Sequence, residues 1–491
     1  MKLVLALDAG TTGVRTVAFD AHARAVDTSY RELTQYFPRP GEVEHDAQEI
    51  ADLAVATLRT VAQRARAAGH EVICVGITNQ RETTIAFDRD NAQLPHRALV
   101  WQDRRTADTC DALHSAGHAD LVRTTTGLVL DSYFSATKMR WFLDHGQMDT
   151  LVAPSFATVD SWLLWCLSGG VDEGVFATEA SNASRTMLMD LATREWSPSM
   201  LTLFDVDASM LAAIAPSAGR FATIHSSVVS ELAGVPITGI LGDQQSALFG
   251  QACFAPGVVK ATYGTGAFLL ANVGAASPGV FDGLVTSVAW DLGARGPLAY
   301  CVEGSAFVAG AAVQWLRDEM GFIADSSELE ALALSVSDSG GVQFVPAFTG
   351  LGSPFWRSDA RGSITGLSRG VGPAQIARAL VEALAYQVRA MTDAFALAGL
   401  SLHELRADGG AAAMDLLLQL QATNSRLPVS RSRSLEATAR GAAMIAGLDA
   451  GLWSSLDELA ALWQFDQRFE PDDPLFVDLG YQAWLRALAN A

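Results

Sequence analysis

The stretch that decides the fold is Leu5-Ala6-Leu7-Asp8-Ala9-Gly10-Thr11-Thr12-Gly13-Val14-Arg15-Thr16-Val17-Ala18-Phe19-Asp20. Its pattern predicts an apolar strand that ends at an acidic residue, a tight polar turn and a second strand. Such a turn exposes backbone N–H groups and hydroxyls that can cradle phosphate oxygens. The alternative is an ordinary hairpin, because Gly-Thr turns are common in proteins.

The same pattern returns just past the middle of the chain, in Lys260-Ala261-Thr262-Tyr263-Gly264-Thr265-Gly266-Ala267-Phe268-Leu269-Leu270. Two such turns indicate two related halves that close on a nucleotide. A length of 491 residues also exceeds one typical core, so at least two domains are expected. The break at Ala255-Pro256-Gly257 marks the predicted boundary, which divides the chain into residues 1–252 and 253–491.

The composition is that of a globular protein, with 49% apolar and 18% charged residues. The formal net charge is −20, from 54 acidic and 34 basic residues, and no basic run stands out. Nucleic acid is therefore not expected as a partner, since phosphate backbones require clustered lysine and arginine. Membrane insertion is not expected either, because polar residues interrupt every long apolar stretch. A small phosphate ligand held by backbone amides remains compatible.

The five cysteines are scattered, without C-x-x-C spacing and without the even number typical of a disulfide framework. They favour a reducing compartment, with neither disulfides nor a zinc site. Asp8 interrupts the N-terminal apolar run too early for a signal peptide. The expected location is therefore the cytoplasm.

Alternating strand and helix signals predict an α/β fold with a mainly parallel sheet. The predicted strands include residues 72–77, 83–88 and 235–241. The predicted helices include residues 47–68, 135–145, 244–254 and 375–398.

Asp243 lies where a predicted strand hands over to a helix, the position at which α/β sheets place ligands. Phosphoryl transfer from ATP needs a phosphate cradle, a metal ion and a carboxylate that takes the proton of the acceptor hydroxyl. Asp243 is the best-placed candidate for that carboxylate, and Gln244 beside it could hydrogen-bond a hydroxyl. The alternatives are a helix N-cap for Asp243 and a water-facing helix start for Gln244.

Arg81 and Glu82 stand together at the end of an apolar strand. An arginine supplies donors and a glutamate supplies acceptors, which suits a polyol because each hydroxyl is both. A solvated turn is the alternative, and without further context it is favoured. Trp101, Tyr133 and Phe268 could cover the CH face of a small polyol, although core packing is the usual place of such aromatic residues.

Taken together, these stretches resemble the FGGY carbohydrate kinases, and within that family the members that phosphorylate glycerol. The resemblance runs over nearly the whole chain, and its matches follow one another in the same order. The matching segments are residues 76–84, 101–105, 133–138, 182–187, 242–245, 263–266, 314–318, 346–352 and 408–410. Residues 133–145 and 362–382 also resemble the two signature regions of the family.

The resemblance implies an α/β fold of two actin-like domains, of the ribonuclease H-like, hexokinase and heat-shock ATPase type, hinged around a central cleft. It implies ATP-dependent phosphorylation of glycerol to sn-glycerol 3-phosphate in that cleft, with Mg²⁺ as a cofactor. The partners would be small molecules, glycerol and ATP, and the chain is expected to form a homo-oligomer, either a dimer or a tetramer.

The resemblance also implies the roles of particular residues. The polyol would be held by Arg81, Glu82, Trp101, Tyr133, Asp243, Gln244 and Phe268, with Asp243 as the general base. The nucleotide would be bound by Thr11, Thr12, Gly13, Arg15, Thr265, Gly310, Gln314, Gly410 and Met414. Asp8 would help to place Mg²⁺ through water.

Three residues depart from the family pattern. Ala9 and Gly13 stand where many relatives have Gln and Ser, which leaves the first turn fewer side-chain donors. Met414 replaces a common Asn that contacts the adenine, so looser selection of the nucleotide base is expected.

Two other functions stay open at this point. One is a kinase for a longer polyol, such as a tetritol, and the other is a nucleotide-binding regulator without catalysis. The Arg81–Glu82 pair beside Trp101 favours the small triol. An intact Asp243 speaks against the regulator.

Overall fold

The computed structural model describes residues 1–357, 359–434, 436–473 and 475–491. Each half of the chain is built on one large sheet flanked by helices. The strands of the first half are β1 (Lys2–Ala9), β2 (Gly13–Phe19), β3 (Ala25–Glu32), β4 (Gln35–Tyr36), β5 (Glu44–His45), β6 (Glu71–Asn79), β7 (Ile85–Asp88), β8 (Ala98–Leu99), β9 (Pro154–Ala157), β10 (Ala177–Glu179), β11 (Ala213–Ala215), β12 (Ala218–Thr223) and β13 (Pro236–Gly242). Its helices are α1 (Ala47–Ala67), α2 (Ala107–Ser115), α3 (Ala119–Thr126), α4 (Ser135–Asp144), α5 (Val159–Leu167), α6 (Ala180–Ala183), α7 (Pro198–Phe204) and α8 (Asp243–Gly250).

The second half continues the alternation of strands and helices. Its strands are β14 (Val258–Tyr263), β15 (Ala267–Gly274), β16 (Val285–Trp290), β17 (Ala299–Ala306), β18 (Gln343–Val345), β19 (Ser363–Thr365), β20 (Glu404–Asp408), β21 (Val429–Ser432) and β22 (Phe465–Phe469). Its helices are α9 (Gly310–Asp318), α10 (Glu328–Leu334), α11 (Pro373–Leu397), α12 (Asp415–Ser425), α13 (Ala437–Asp449), α14 (Leu456–Ala461) and α15 (Leu475–Ala489). Throughout the described ranges, every helix falls short of the length and apolar character that crossing a bilayer would require.

The sheet of the first half has the strand order β12-β13-β6-β1-β2-β3. The β13–β6 and β6–β1 pairs are parallel, whereas β12–β13, β1–β2 and β2–β3 are antiparallel. The expectation of a mainly parallel sheet is therefore wrong. The reason is local, because a turn as short as residues 10–12 returns the chain beside the strand it has just left, and only antiparallel strands can be joined in that way.

The sheet of the second half repeats this arrangement. Its strand order is β16-β17-β15-β14-β20-β21-β22. The hairpin β14–β15 is antiparallel, and β14 continues through parallel pairing to β20 and β21. The hairpin β1–β2 of the first sheet likewise continues through parallel pairing from β1 to β6 and β13. The two polar turns seen in the sequence therefore occupy equivalent places in two related sheets.

The helices predicted over residues 47–68, 135–145 and 375–398 are confirmed as α1, α4 and α11. The helix predicted over residues 244–254 is wrong at its end, since α8 stops at Gly250. Ala252 follows with a left-handed backbone (φ 51°), which ends the helix. Asp243 is the first residue of α8 and Gly242 stands at the N-cap, so the alternative that made Asp243 the cap is also wrong.

Helix α13 belongs to the second half of the sequence but packs on the sheet of the first half. It lies against β1, β6 and β13 and beside α8, and glycines bring the backbones together. A Cβ atom on Gly76 would lie 2.2 Å from the carbonyl oxygen of Ala442, and one on Gly441 would lie 1.8 Å from that of Ser246. The apolar residues of α13 join a core with residues of β1, β15 and β17. The two halves therefore share a core through this helix.

We expect Gly441→Ala to lower the free energy of unfolding by about 3 kcal/mol, because its methyl group would overlap the backbone of α8, which no change of rotamer relieves. Urea denaturation followed by circular dichroism measures the change. Gly370→Ala is the matched control, since the atom nearest to a Cβ there, Ser368 Oγ, lies 4.0 Å away. The control should change stability by less than about 0.5 kcal/mol. Equal stabilities of the two variants would contradict the close packing of α13.

Candidate active site

Polar side chains gather where three strands of the first sheet end. β1 ends just after Asp8, β6 ends just before Arg81 and Glu82, and β13 runs directly into Asp243. β6 pairs in parallel with both β1 and β13, so the carboxyl ends of the three strands lie side by side. This edge is the place at which α/β sheets hold ligands.

Arg81 and Glu82 form part of a buried group of charges that joins the two halves. Each has only 2% of its side chain exposed, so the solvated turn favoured from sequence is wrong. Glu303 on β17 accepts two hydrogen bonds from the Arg81 guanidinium, at 2.7 and 3.1 Å. Arg185 donates to Glu82 Oε1 at 2.6 Å and to Glu303 Oε1 at 3.3 Å. Two guanidiniums and two carboxylates thus offset one another away from water.

Charge pairing within this group sets the protonation of its members. Burial alone would raise the pKa of Glu303, but Arg185 and Arg81 outweigh it and lower the pKa to about 2. Burial raises the pKa of Glu82 in spite of the same two guanidiniums. Burial would lower the pKa of Arg81, yet Glu303 and Glu82 raise it well above its usual value. Glu303 is therefore the permanent anion of the group.

Asp243 faces the cleft from the first turn of α8. Its Oδ1 lies 3.3 Å from Arg81 Nε and accepts a hydrogen bond from the Gln244 backbone N–H at 2.7 Å. Burial raises the pKa of Asp243 and nearby Asp8 adds to this, whereas Arg81 and Lys260 lower it. Because 29% of its side chain is exposed, the carboxylate is accessible to a ligand.

The predicted aromatic residues come from both halves of the chain. Trp101 and Tyr133 contact each other edge to face, with ring centroids 5.6 Å apart. The Trp101 indole N–H donates to Thr11 Oγ1 at 2.9 Å, which ties this ring to the first polar turn. The Tyr133 hydroxyl accepts from Arg81 at 3.4 Å, and burial raises its pKa, so it keeps its proton. Phe268 is partly buried on β15 of the second half.

Lys138 fixes the segment that carries Tyr133. Its buried ammonium group donates to the carbonyls of three successive residues, Ser132, Tyr133 and Phe134, at 2.5, 3.0 and 3.3 Å. Burial lowers the pKa of Lys138 to about 8. Three bonds to consecutive carbonyls leave the backbone around Tyr133 little freedom, so the phenol is held in place from behind.

The first polar turn is closed by its own backbone, with the Gly10 N–H donating to Gly13 O at 3.0 Å. Tyr30 fills the space beside Gly13, because a Cβ atom there would lie 2.4 Å from the tyrosine ring. The Tyr30 hydroxyl donates to Thr12 O at 3.2 Å. Gly13, which stands where many relatives have serine, therefore lies against a tyrosine that supports the turn from outside.

Arg15 lies behind the first turn between two carboxylates. It pairs with Asp8 at 2.8 Å and with Glu436, just before α13, at 2.6 Å. Burial raises the pKa of Asp8, while Arg15 acts in the opposite direction. This contact also crosses between the halves, since Arg15 comes from β2 and Glu436 from the second half.

The second polar turn closes in the same way, with the Gly264 N–H donating to Gly266 O at 2.9 Å. The start of α9 packs directly on it, where the Gly310 N–H donates to Gly264 O at 2.9 Å. A Cβ atom on Gly310 would lie 2.6 Å from Gly264 O, so this approach requires glycine. Gly310 thus fixes the turn against a helix start.

The other predicted nucleotide residues of the second half differ in exposure. Thr265, Gln314 and Gly410 are exposed. Met414 stands at the N-cap of α12 and is only 9% exposed, packed in the core of the second half. Its side chain therefore packs in this core, and little of its surface is accessible to a ligand.

Within the described ranges, no group of three or more His, Cys, Asp or Glu side chains could hold a metal ion by itself. Mg²⁺ in phosphoryl transfer needs no such group, because it takes one or two carboxylates together with phosphate oxygens and water. Asp8 acts electrostatically on Asp243. The Asp8 carboxylate at the end of β1 therefore fits a magnesium ion carried by a nucleotide.

Sequence reasoning missed Arg185, Glu303 and Lys260 as functional residues. Glu303 carried a usable signal, since it stands inside β17, all eight residues of which are buried. An acid in a fully buried strand needs a cation, hydrogen-bond donors or a proton of its own. Which cation pairs with it depends on contacts between the two halves, and no local pattern contains that information.

Both halves of the chain match models of one family. The model of the N-terminal domain of the FGGY family of carbohydrate kinases matches residues 3–250, and that of the C-terminal domain matches residues 259–450. The glycerol kinase of Aromatoleum aromaticum is 49% identical over 476 residues, which cover 96% of this chain and 95% of the relative.

Solved structures share the fold over the full length. The crystal structure of Plasmodium falciparum glycerol kinase with ADP has a TM-score of 0.92 and 32% identity, covering 100% of this chain and 98% of that one. The gluconate kinase of Lactobacillus acidophilus has a TM-score of 0.88 and 19% identity, covering 100% of this chain and 97% of that one. At that identity the second likeness concerns the fold alone.

Glu303→Gln should lower the free energy of unfolding by about 3 kcal/mol at neutral pH, because it leaves two buried guanidiniums with a single carboxylate. The pKa of Glu303 falls from an ordinary value of 4.5 to about 2 on folding. Its stabilising effect is therefore complete above pH 4.5 and is lost as the pH falls toward 2. Urea denaturation of wild type and variant at several pH values measures both effects.

The difference in stability between wild type and Glu303→Gln should shrink as the pH falls through this window. Glu319→Gln is the control, since Glu319 is exposed at the end of α9 in the same half. It should stay within about 0.5 kcal/mol of wild type throughout. A difference for Glu303→Gln that is constant down to the lowest pH would contradict the assigned ion pairing.

Proposed function

Since this chain belongs to the FGGY family of carbohydrate kinases, we propose that it transfers the γ-phosphoryl group of ATP to a terminal hydroxyl of glycerol. The products are sn-glycerol 3-phosphate and ADP. Similarity to glycerol kinases over nearly the full length of the chain supports this function. The structural observation that carries it is the partly exposed carboxylate of Asp243, set beside the buried Arg81–Glu303 pair.

Asp243 is proposed as the general base. As the hydroxyl oxygen of glycerol attacks the γ-phosphorus and ADP leaves, the carboxylate accepts the hydroxyl proton. Its pKa, raised by burial, makes it a better proton acceptor than an ordinary aspartate. Arg81 at 3.3 Å holds one oxygen, which limits the rotation of the carboxylate.

The polyol is proposed to lie between Arg81, Glu82, Tyr133 and Gln244. Arginine, tyrosine and the glutamine amide supply donors, while Glu82 and Asp243 supply acceptors, so the site offers partners of both kinds to the hydroxyls of a triol. Trp101 and Phe268 would cover its CH surface. The edge-to-face contact of Trp101 with Tyr133 supports a wall that is already formed before the polyol binds.

The triphosphate is proposed to lie between the two polar turns. Thr11, Thr12, Gly13 and Arg15 would contact it from the first half. The contacts from the second half would be Thr265, Gly310, Gln314, Gly410 and Met414. Mg²⁺ bound with ATP would neutralise charge on the transferred phosphoryl group, and Asp8, acting through water, would hold it.

The remaining proposals concern location and assembly. We propose that the chain acts in the cytoplasm, where ATP is available, and that it forms a dimer or a tetramer. Light scattering coupled to size-exclusion chromatography measures the assembly directly.

A coupled assay of ADP release, with and without glycerol, tests the function. Asp243→Asn should lower glycerol-dependent turnover by about 10²- to 10⁴-fold, the effect of losing one general base. Asp120→Asn is the matched control, because Asp120 is also an acid in the first turn of a helix but is exposed on α3. Near-normal turnover by Asp243→Asn would refute the assigned base. Faster turnover with a tetritol than with glycerol would show that the longer polyol is the acceptor.

Base selectivity tests the proposed place of Met414. With no amide at this position to hydrogen-bond the adenine, wild type should use GTP within about tenfold of ATP, since one hydrogen bond contributes about 1 kcal/mol. Met414→Asn should raise the preference for ATP. Met320→Asn, at an exposed methionine of the same half, is the control. Strict ATP preference that Met414→Asn leaves unchanged would contradict the prediction.

A further inference from the structure

Lysine is rare in this chain. Lys2, Lys138 and Lys260 are the three lysines among 34 basic residues. Lys2 is exposed, whereas Lys138 and Lys260 are completely buried. Lys138 supports the segment of Tyr133 from behind. Lys260 lies on β14 at the cleft, and the mechanism proposed above gives it no part.

Lys260 reaches from the second half of the chain to the first. Its Nζ donates a hydrogen bond to Gln244 Oε1, and it lies 3.5 Å from Phe268 O. An ammonium group can only donate, so the Gln244 amide must turn its oxygen toward Lys260. The NH₂ group of Gln244 is thereby left to donate to an acceptor in the cleft.

Charged groups surround Lys260 on several elements. Those that act on it are Asp408, Asp243, Glu303 and Arg81. Burial lowers the pKa of Lys260, but the three carboxylates favour its charged form and only Arg81 opposes it. Lys260 in turn acts on Asp243. Burial and Asp8 disfavour the ionised form of Asp243, whereas Arg81 and Lys260 favour it.

We propose that Lys260 is a positioning residue for glycerol phosphorylation, which orients the Gln244 amide toward the acceptor polyol and supplies a positive charge near Asp243. The inference rests on the function proposed above. It assigns a role to a residue that acts through two others rather than touching the reacting atoms. The contact also ties the acceptor site on α8 to the strand that leads into the second polar turn, so acceptor and phosphate donor sites are aligned by one hydrogen bond.

Steady-state kinetics of Lys260→Met and Lys260→Arg test this role. Lys260→Met should raise the KM for glycerol roughly tenfold, the effect of losing one hydrogen bond to a charged group, while the KM for ATP stays within about twofold. The acid limb of kcat/KM for glycerol should move to higher pH, because Asp243 loses a neighbouring cation. Lys260→Arg keeps the charge and should leave the acid limb in place. Lys2→Met, at the exposed lysine, is the control.

A double-mutant cycle with Gln244→Ala shows whether Lys260 acts through the glutamine. If it does, Lys260→Met should raise the KM for glycerol much less in the Gln244→Ala background than in wild type. Should Lys260→Met fail to fold, Lys260→Gln, which also removes the charge but keeps a polar group, gives the same comparison in the two backgrounds. Additive effects on KM, or an acid limb that moves equally in Lys260→Met and Lys260→Arg, would overturn the proposal.

The same experiment separates this inference from the proposed function. Wild type that releases no ADP with glycerol would refute the function. The Lys260 variants are then compared on the polyol that wild type does phosphorylate, so the ratios between variant and wild type still decide the role of Lys260.

Discussion

The buried ion pair of Arg81 with Glu303 is the interaction on which the rest of the cleft depends. The two side chains are 2% and 0% exposed, and an unpaired charge at such a depth would cost several kcal/mol. The pair is tolerated because its partners come from opposite halves of the chain and because Arg185 and Glu82 complete a neutral set. Separating the halves would leave Glu303 without either of its guanidinium partners, so the floor of the cleft is held at a fixed spacing.

The buried ion pairs hold the more accessible side chains of the site in fixed positions. Asp243 is exposed to the cleft, but the arginine that orients it is immobilised from behind by Glu303. Tyr133 is also held in place from behind, since Lys138 donates hydrogen bonds to three consecutive carbonyls of its segment. The geometry of the site is therefore set by ion pairs and backbone contacts behind it, which is what a preorganised site requires.

Features that are decided within a short segment were predicted from the sequence, whereas contacts between distant segments were not. The patterns at residues 5–20 and 260–270 correspond to the hairpins β1–β2 and β14–β15, because a tight turn and its flanking strands are decided within a short segment. The position of Asp243 at the end of a strand was predictable for the same reason, because the residues next to it decide where the strand ends. The pairing of Glu303 could not be predicted, since its partner Arg81 lies 222 residues away. Nor could the placement of α13, because a helix of small apolar residues does not specify which sheet it will cover.

The pairing of charges also bears on how a chain with a net charge of −20 would hold the proposed triphosphate. Arg15 is matched by Asp8 and Glu436, and Arg81 by Glu303, so these guanidiniums leave little uncompensated charge. Backbone N–H groups of the two polar turns can bind phosphate without any net charge. Lys260 differs from the arginines, since its hydrogen bonds go to an amide oxygen and a carbonyl oxygen. Its ammonium group therefore has no direct carboxylate contact, although Asp408, Asp243 and Glu303 act on it from nearby. The proposed binding of the nucleotide at the two turns rests on their backbone geometry, which does not depend on an exposed basic surface that salt would screen.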